Sequence, residues 1–148
     1  MSKEVPLEVF GLLTDIQYAD ITDVTNRHGI SRHYRNSLNQ IEKAITSWKG
    51  YEKSTGTSLK FILQLGDLID RKCVNNSYNS MCLVLGTLNL NYQKKILHVW
   101  GNHELYNFKQ NELANTPLNT ARLLDQPADK EDSNYYSYKV TDKLMISH

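Results

Sequence analysis

The chain has little cysteine: Cys73 and Cys82 are its only two, and no Cys-x-x-Cys pair occurs. That excludes a zinc knuckle and a dithiol redox motif, and reduced thiols in a cytosolic protein are the expectation. Cys82 falls in an apolar helical pattern and reads as a small core residue. Cys73 falls in a loop and reads as the more accessible thiol. Long hydrophobic runs are also missing. VFGLL and FIL are far shorter than the roughly 20 residues needed to span a bilayer. The start, MSKEVPLEVFGLL, has only a short apolar run with no small-residue cleavage site after it, so no secretory signal is read there. Charge of one sign is lacking as well. With 17 basic against 16 acidic residues the net charge is +1, which gives no basis for nucleic acid or an anionic membrane as partner. The expected location is cytoplasmic.

What the sequence does contain is the material of one soluble domain. Its 148 residues are 40% hydrophobic and 22% charged, ordinary values for a globular chain of that size. EVFGLLT at 8–14, LKFILQL at 59–65 and KILHVW at 95–100 read as buried strands. Between the first two lies residues 31–53, where Tyr34, Leu38, Ile41, Ile45 and Trp48 recur at steps of four, three, four and three. That is one face of a helix, with Ser31 as its expected N-cap and Gly50 or the STGTS stretch as its end. Residues 76–93 read as a second helix with Tyr78, Met81, Cys82, Leu85 and Leu88 on one face, despite Gly86. The order β-α-β-α-β predicts parallel strands with right-handed crossovers, an α/β fold. Beyond Glu104 the pattern weakens. A helical turn or two is expected at 119–126, a polar surface loop at 127–134 and a strand at YYSYKV, 135–140.

Each predicted strand runs directly into polar residues: TDIQYAD, GDLID and GNHE. In a parallel sheet the carboxyl ends of the strands share one rim, where α/β proteins place ligands. Asp15, Gln17, Asp67, Asn102 and His103 can therefore converge there, half exposed. Carboxylate and amide oxygens suit hard or borderline divalent cations. Gly66 and Gly101 let the chain turn off the strand where a Cβ would obstruct it. A single Asp in such a turn is often only a helix cap. It is the ordered set of three motifs that points to chemistry.

Asp-x-Gln, Gly-Asp-x-x-Asp and Gly-Asn-His-Glu resemble the first three motifs of the calcineurin-like metallophosphoesterases. TDIQYADITD, SRHYRNSL, LQLGDLID and WGNHELYNF resemble the branch of manganese-dependent ADP-ribose/CDP-alcohol diphosphatases, with Gln17 where most of the family has His. The resemblance implies a β-sandwich flanked by helices, here its N-terminal βαβαβ half plus a short tail. It also implies two divalent cations, manganese first, with magnesium, iron or zinc as alternatives. Asp15 and Gln17 would hold one, Asn102 the other, and Asp67 would bridge both. His103 would act on the phosphoryl group or the leaving oxygen, and Asp70 would orient His103 or its loop. The implied reaction is hydrolysis of the phosphoanhydride bond in ADP-ribose, CDP-choline, CDP-glycerol and similar nucleoside diphosphate-linked molecules.

Arg27, His28, Arg32 and Arg71 are candidate substrate contacts, since each lies just after a motif. His98, inside the third strand, reads as a hydrogen-bonded core residue, and Tyr106, Asn107 and Phe108 as packing beneath the site. Relatives carry aromatic residues near positions 25–27, where this chain has Thr25, Asn26 and Arg27. The family also has Gly-His and Gly-His-x-His motifs further on. His148 is the only later histidine here and no Gly precedes it, so residues 1–148 read as a partial domain with one apolar sheet face left uncovered. An inactive chain acting as a binding module is the alternative. A protein Ser/Thr phosphatase is a further one: it shares Gly-Asp-x-x-Asp-Arg and Gly-Asn-His-Glu but has His in place of Gln17 and Gly in place of Lys72.

Overall fold

A computed structural model describes residues 8–126 and 134–148. Apart from Asn134, the loop expected at 127–134 lies outside them. The central sheet has three parallel strands in the order β1 (Gly11–Leu13), β4 (Phe61–Gln64) and β5 (Lys95–His98). Gly11 pairs with Ile62 and Ile62 with Ile96, and the register continues to Gln64 opposite His98. The βαβαβ order is as expected. The crossovers are α1 (Asn36–Thr55) and α2 (Ser77–Asn91). Ile62 and Ile96 point from the sheet into a core shared with Ile41 and Ile45 of α1 and Met81, Val84, Leu85 and Leu88 of α2. Burying each such side chain is worth about 1.5–3 kcal/mol, so this face holds both helices on the sheet.

One expected boundary shifts. Ser31 does not cap α1. It lies in β3 (Ser31–Arg32), which pairs antiparallel with β2 (Val24–Thr25). The turn between them is organised by Asn26, whose Oδ1 accepts from the N–H groups of His28 and Ile30, and a hydroxyl contact of 2.7 Å joins Thr25 and Ser31 across the pair. Helix α1 therefore starts four residues later than expected, with Arg35 and not Ser31 at its N-cap. It continues through Gly50 to Thr55, where Gly56 takes the left-handed conformation and returns its N–H to Glu52 O. That ending falls in the STGTS stretch.

The cysteines are placed opposite to expectation. Cys73 is 4% exposed, with its thiol donating to Tyr18 O at 3.2 Å, while Cys82 is exposed. Burial pushes the Cys73 thiol up from its ordinary pKa. Tyr78 also leaves the expected core face and is exposed, while Ser77 and Ser80 are buried in its stead. Helix α2 is apolar almost all round at Met81–Leu85, so its periodicity does not define a face and packing decides. Ser77 can be buried because its hydroxyl binds Cys73 O and Asn107 Oδ1.

The opposite face of the sheet is partly covered. The strand expected at 135–140 is β6 (Ser137–Thr141), in an antiparallel hairpin with β7 (Leu144–Ser147). Tyr138, Val140 and Ile146 of this hairpin pack around Phe61, Leu97, Ala121 and Tyr136. The face expected to be bare is thus filled at its centre, while Phe10 and Leu12 beside and on β1 stay exposed. The short helix Thr120–Leu123 packs here as well, through Ala121. Asn134, expected in a surface loop, is buried: its Oδ1 accepts from the Thr120 and Ala121 N–H groups and its Nδ2 donates to His98 O. No helix among the described residues is long and apolar enough to cross a membrane.

Candidate functional site

The parallel pairing of β1 and β4 does not stop where the strands end. Gln17 N–H donates to Asp67 O at 2.8 Å, Tyr18 N–H to Leu68 O, and Asp70 N–H back to Tyr18 O. The two loops that carry Asp-x-Gln and Gly-Asp-x-x-Asp therefore run side by side. Their backbones are bent to do so. Asp15, Gln17 and Asp67 have φ of 52°, 44° and 56°. Only one other described residue with a Cβ, Asp125, has positive φ. For a non-glycine residue that conformation costs on the order of 1–3 kcal/mol, and residues held so cluster at functional sites.

The bends bring three side chains together. The Gln17 amide nitrogen lies 3.2 Å from Asp15 Oδ1 and 3.2 Å from Asp67 Oδ2. One amide thus joins two carboxylates from separate loops, and among the described residues neither carboxylate has a Lys or Arg partner. Two like charges beside one another are costly without a cation. A half-turn of the Gln17 amide offers oxygen in place of nitrogen, and the set then supplies the oxygen ligands that divalent cations prefer. The residues fit a metal. Asn102 opens α3 (Asn102–Asn107) with its side chain exposed. No hydrogen bond among the described residues ties it to Asp15 or Asp67, so its place in the set rests on its position beside His103.

His103 is bound to this group through its backbone. Its N–H donates to Asp67 Oδ1 at 3.0 Å. The ring is held on its other side: Nδ1 accepts from the Arg71 N–H at 3.0 Å. Nδ1 therefore carries the lone pair, and in the neutral ring the proton sits on Nε2. Asp70 is 1% exposed, with Oδ1 accepting from the Lys72 N–H and Oδ2 lying 3.4 Å from Arg32 Nη1 and 3.5 Å from His103 Nδ1. It stands beside His103, where orientation by Asp70 was expected, but the Arg71 backbone makes the closer contact.

The candidate substrate contacts separate. Arg32 reaches the site through Asp70. Arg71 meets His103 with its backbone and leaves its side chain exposed. Arg27 and His28 sit at the exposed tip of the β2–β3 hairpin, with Arg27 Nε donating to His28 Nε2. Tyr106 is exposed with its ring 5.5 Å from that of His103, so it flanks the site, whereas Phe108 packs into the core as expected. Asn107 lies beneath: its Nδ2 donates to Asp70 O and His103 O. His98 is buried and bound to Gln64 Oε1 at 3.1 Å, as a core histidine, and burial pushes its pKa down to about 4.

Glu104 was missed by the sequence reading. It is 1% exposed and its carboxylate takes three backbone N–H groups: Leu68 on Oε1 at 2.6 Å, and Asp67 and Gly101 on Oε2 at 2.8 Å each. A signal existed, because Glu three residues after a helix N-cap reaches back to the capping residue's N–H. The two glycines complete the joint. A Cβ on Gly66, whose φ is +89°, would sit 2.6 Å from Gly101 N, and one on Gly101 would run into the Asp67 carboxylate.

A parallel sheet presenting carboxylates, amides and a histidine at its carboxyl rim is the layout of an α/β protein with an oxygen-ligand metal site. Residues 7–148 match the family described as calcineurin-like phosphoesterase, and the chain belongs to it. Curated relatives named manganese-dependent ADP-ribose/CDP-alcohol diphosphatase include that of Mus musculus, 39% identical over 140 residues, covering 90% of this chain and 40% of the relative. The Homo sapiens relative of the same name is 38% identical over 136 residues, covering 87% and 38%. A crystal structure of a dimetal phosphatase from Danio rerio superposes with a TM-score of 0.79 at 30% identity, covering 97% of this chain and 44% of that one. The chain thus spans about 40% of the length of these curated relatives.

Proposed function

We propose that this chain belongs to a metal-dependent hydrolase that cleaves the phosphoanhydride bond of nucleoside diphosphate-linked small molecules, with ADP-ribose and CDP-alcohols as the first candidates. The observation that carries the reading is the Asp15–Gln17–Asp67 group, drawn together in left-handed backbone around one amide. Asp15, Gln17, Asp67 and Asn102 would hold two divalent cations, manganese by analogy with the relatives' name. When bound, such a pair supplies Lewis acidity toward phosphoryl oxygens and water. The protein's own contribution is position and charge. Asp15 and Asp67 set the negative charge of the site, and the His103 N–H holds the Asp67 carboxylate in place. The His103 Nε2 proton is available to a phosphoryl or leaving-group oxygen, because the Arg71 N–H occupies Nδ1.

The test is release of AMP from ADP-ribose and of CMP from CDP-choline with Mn²⁺, compared with phosphate release from a phosphopeptide. No nucleotide release sinks the substrate reading, and a faster phosphopeptide reaction favours the protein phosphatase class. Asp67→Asn and His103→Ala should fail differently. Asp67→Asn should lower metal affinity and rate together, with partial recovery in excess Mn²⁺. His103→Ala should leave metal affinity intact and lower kcat by about 10²–10⁴-fold, the usual share of a proton donor. The reverse pattern would refute the assignment. A second reading, binding without turnover, draws on the donor set: among the described residues no three His, Cys, Asp or Glu side chains are grouped so that they could hold a metal ion by themselves. Nucleotide binding in the presence of Mn²⁺ with no hydrolysis would select it.

A further inference from the structure

We infer that Glu104 is a positioning residue: its buried carboxylate clamps the Gly66–Leu68 turn to the start of α3 and thereby holds Asp67 in the left-handed conformation that aims it at Asp15 and Gln17. The metal consequence of this inference rests on the reading of Asp67 as a ligand, while the clamp itself does not. Asp67 is gripped from both ends by the same helix start. Its N–H binds Glu104 Oε2 and its Oδ1 accepts from the His103 N–H. Its neighbours are gripped with it, Leu68 by Glu104 Oε1 and Gly101 by Glu104 Oε2. Three N–H donors converge on one side chain that is almost completely shielded from water. Without it, those N–H groups would be unsatisfied beside a residue whose φ is +56°, and Asp67 would keep only its contacts to Gln17 and His103 against relaxing to an ordinary backbone conformation.

The geometry explains why a full carboxylate is needed there. Both oxygens face donors, so an amide would turn its NH₂ toward at least one N–H group. Glu104→Gln keeps the shape and loses the match. A carboxylate that merely capped α3 would need only the Gly101 N–H. The contacts to Asp67 and Leu68, 37 and 36 residues away in the chain, are what tie one motif to another.

Two measurements on the intact chain test this. In the wild type without metal, amide hydrogen exchange should protect Asp67 and Leu68 like the strand residues Ile62 and Leu63, although both lie beyond the end of β4. Exchange at open-loop rates overturns the clamp, whatever becomes of the variants. Glu104→Gln should then shift the Asp67 backbone NMR resonances away from left-handed values. It should also weaken Mn²⁺ binding, followed by the EPR signal of free Mn²⁺, by about 10–100-fold, the loss typical of residues that orient a metal ligand. Val84→Ala, in the α2 core and remote from the site, serves as the control for lost stability and should leave Mn²⁺ affinity unchanged. Equal weakening by Val84→Ala, or unchanged Asp67 resonances in Glu104→Gln, overturns the inference. If the wild type binds no Mn²⁺, it is the metal reading that fails, and exchange and the Asp67 resonances still decide the clamp.

Discussion

Substituting Gly66 by Ala should destabilise the protein more than its small size suggests. The added Cβ would lie 2.6 Å from Gly101 N and 2.7 Å from Gly101 Cα. Both obstacles are backbone, fixed by the Glu104 hydrogen bonds to Gly101 and Asp67, so no side chain can rotate away. The φ of +89° adds a second cost. A left-handed L-residue costs roughly 1–2 kcal/mol, and an extra methyl in a packed joint about 1–3 kcal/mol. Together they predict a loss of about 2–5 kcal/mol, a large fraction of the 5–15 kcal/mol typical of a domain. Near this chain length each kcal/mol moves Tm by about 2–4 °C, so Tm should fall by about 4–20 °C, read by circular dichroism. Gly86→Ala is the internal comparison. Gly86 lies within α2, and its added Cβ would meet nothing within 4 Å. There Ala should stabilise by up to about 1 kcal/mol, because it is the better helix former. A Gly66→Ala protein as stable as wild type, or a Gly86→Ala protein less stable than Gly66→Ala, would refute the reasoning.

Stability should also fall with acid through His98. Burial holds its folded pKa down at about 4 against an unfolded value near 6.5, so the unfolded chain takes up the proton first. Its contribution is complete above about pH 6.5 and is lost as pH falls toward 4, on the order of 3 kcal/mol in all; urea midpoints at pH 7 and pH 5 should differ, and His98→Gln should flatten that slope. Thiol labelling with a disulfide reagent should modify Cys82 rapidly and Cys73 only on unfolding, since Cys73 is buried and bound to Tyr18 O. Fast modification of both would contradict the placement of the loop carrying Tyr18.

The order of elements and the residues of the candidate site were legible in the chain because both depend on short-range pattern. Ile41, Ile45 and Trp48 are spaced for one helix face, the strands are short apolar runs, and Asp15, Asp67 and His103 each follow a strand end. Parallel order then requires the strand ends to share a rim. What the tertiary structure alone decided are the contacts between loops. Which cysteine is buried depends on the Tyr18 backbone passing over Cys73, 55 residues away. Ser31 joins a hairpin because Asn26 can bind two N–H groups at once, a local option as valid as capping α1. The choice of buried face on the nearly all-apolar α2 falls to the neighbours that Ser77 and Ser80 can approach. Glu104 is a charged letter in a polar motif until the β4–β5 register brings three N–H groups to it. A sequence carries the periodicity that builds each element, but the satisfaction of a buried polar group depends on atoms that only the completed sheet brings within hydrogen-bonding distance.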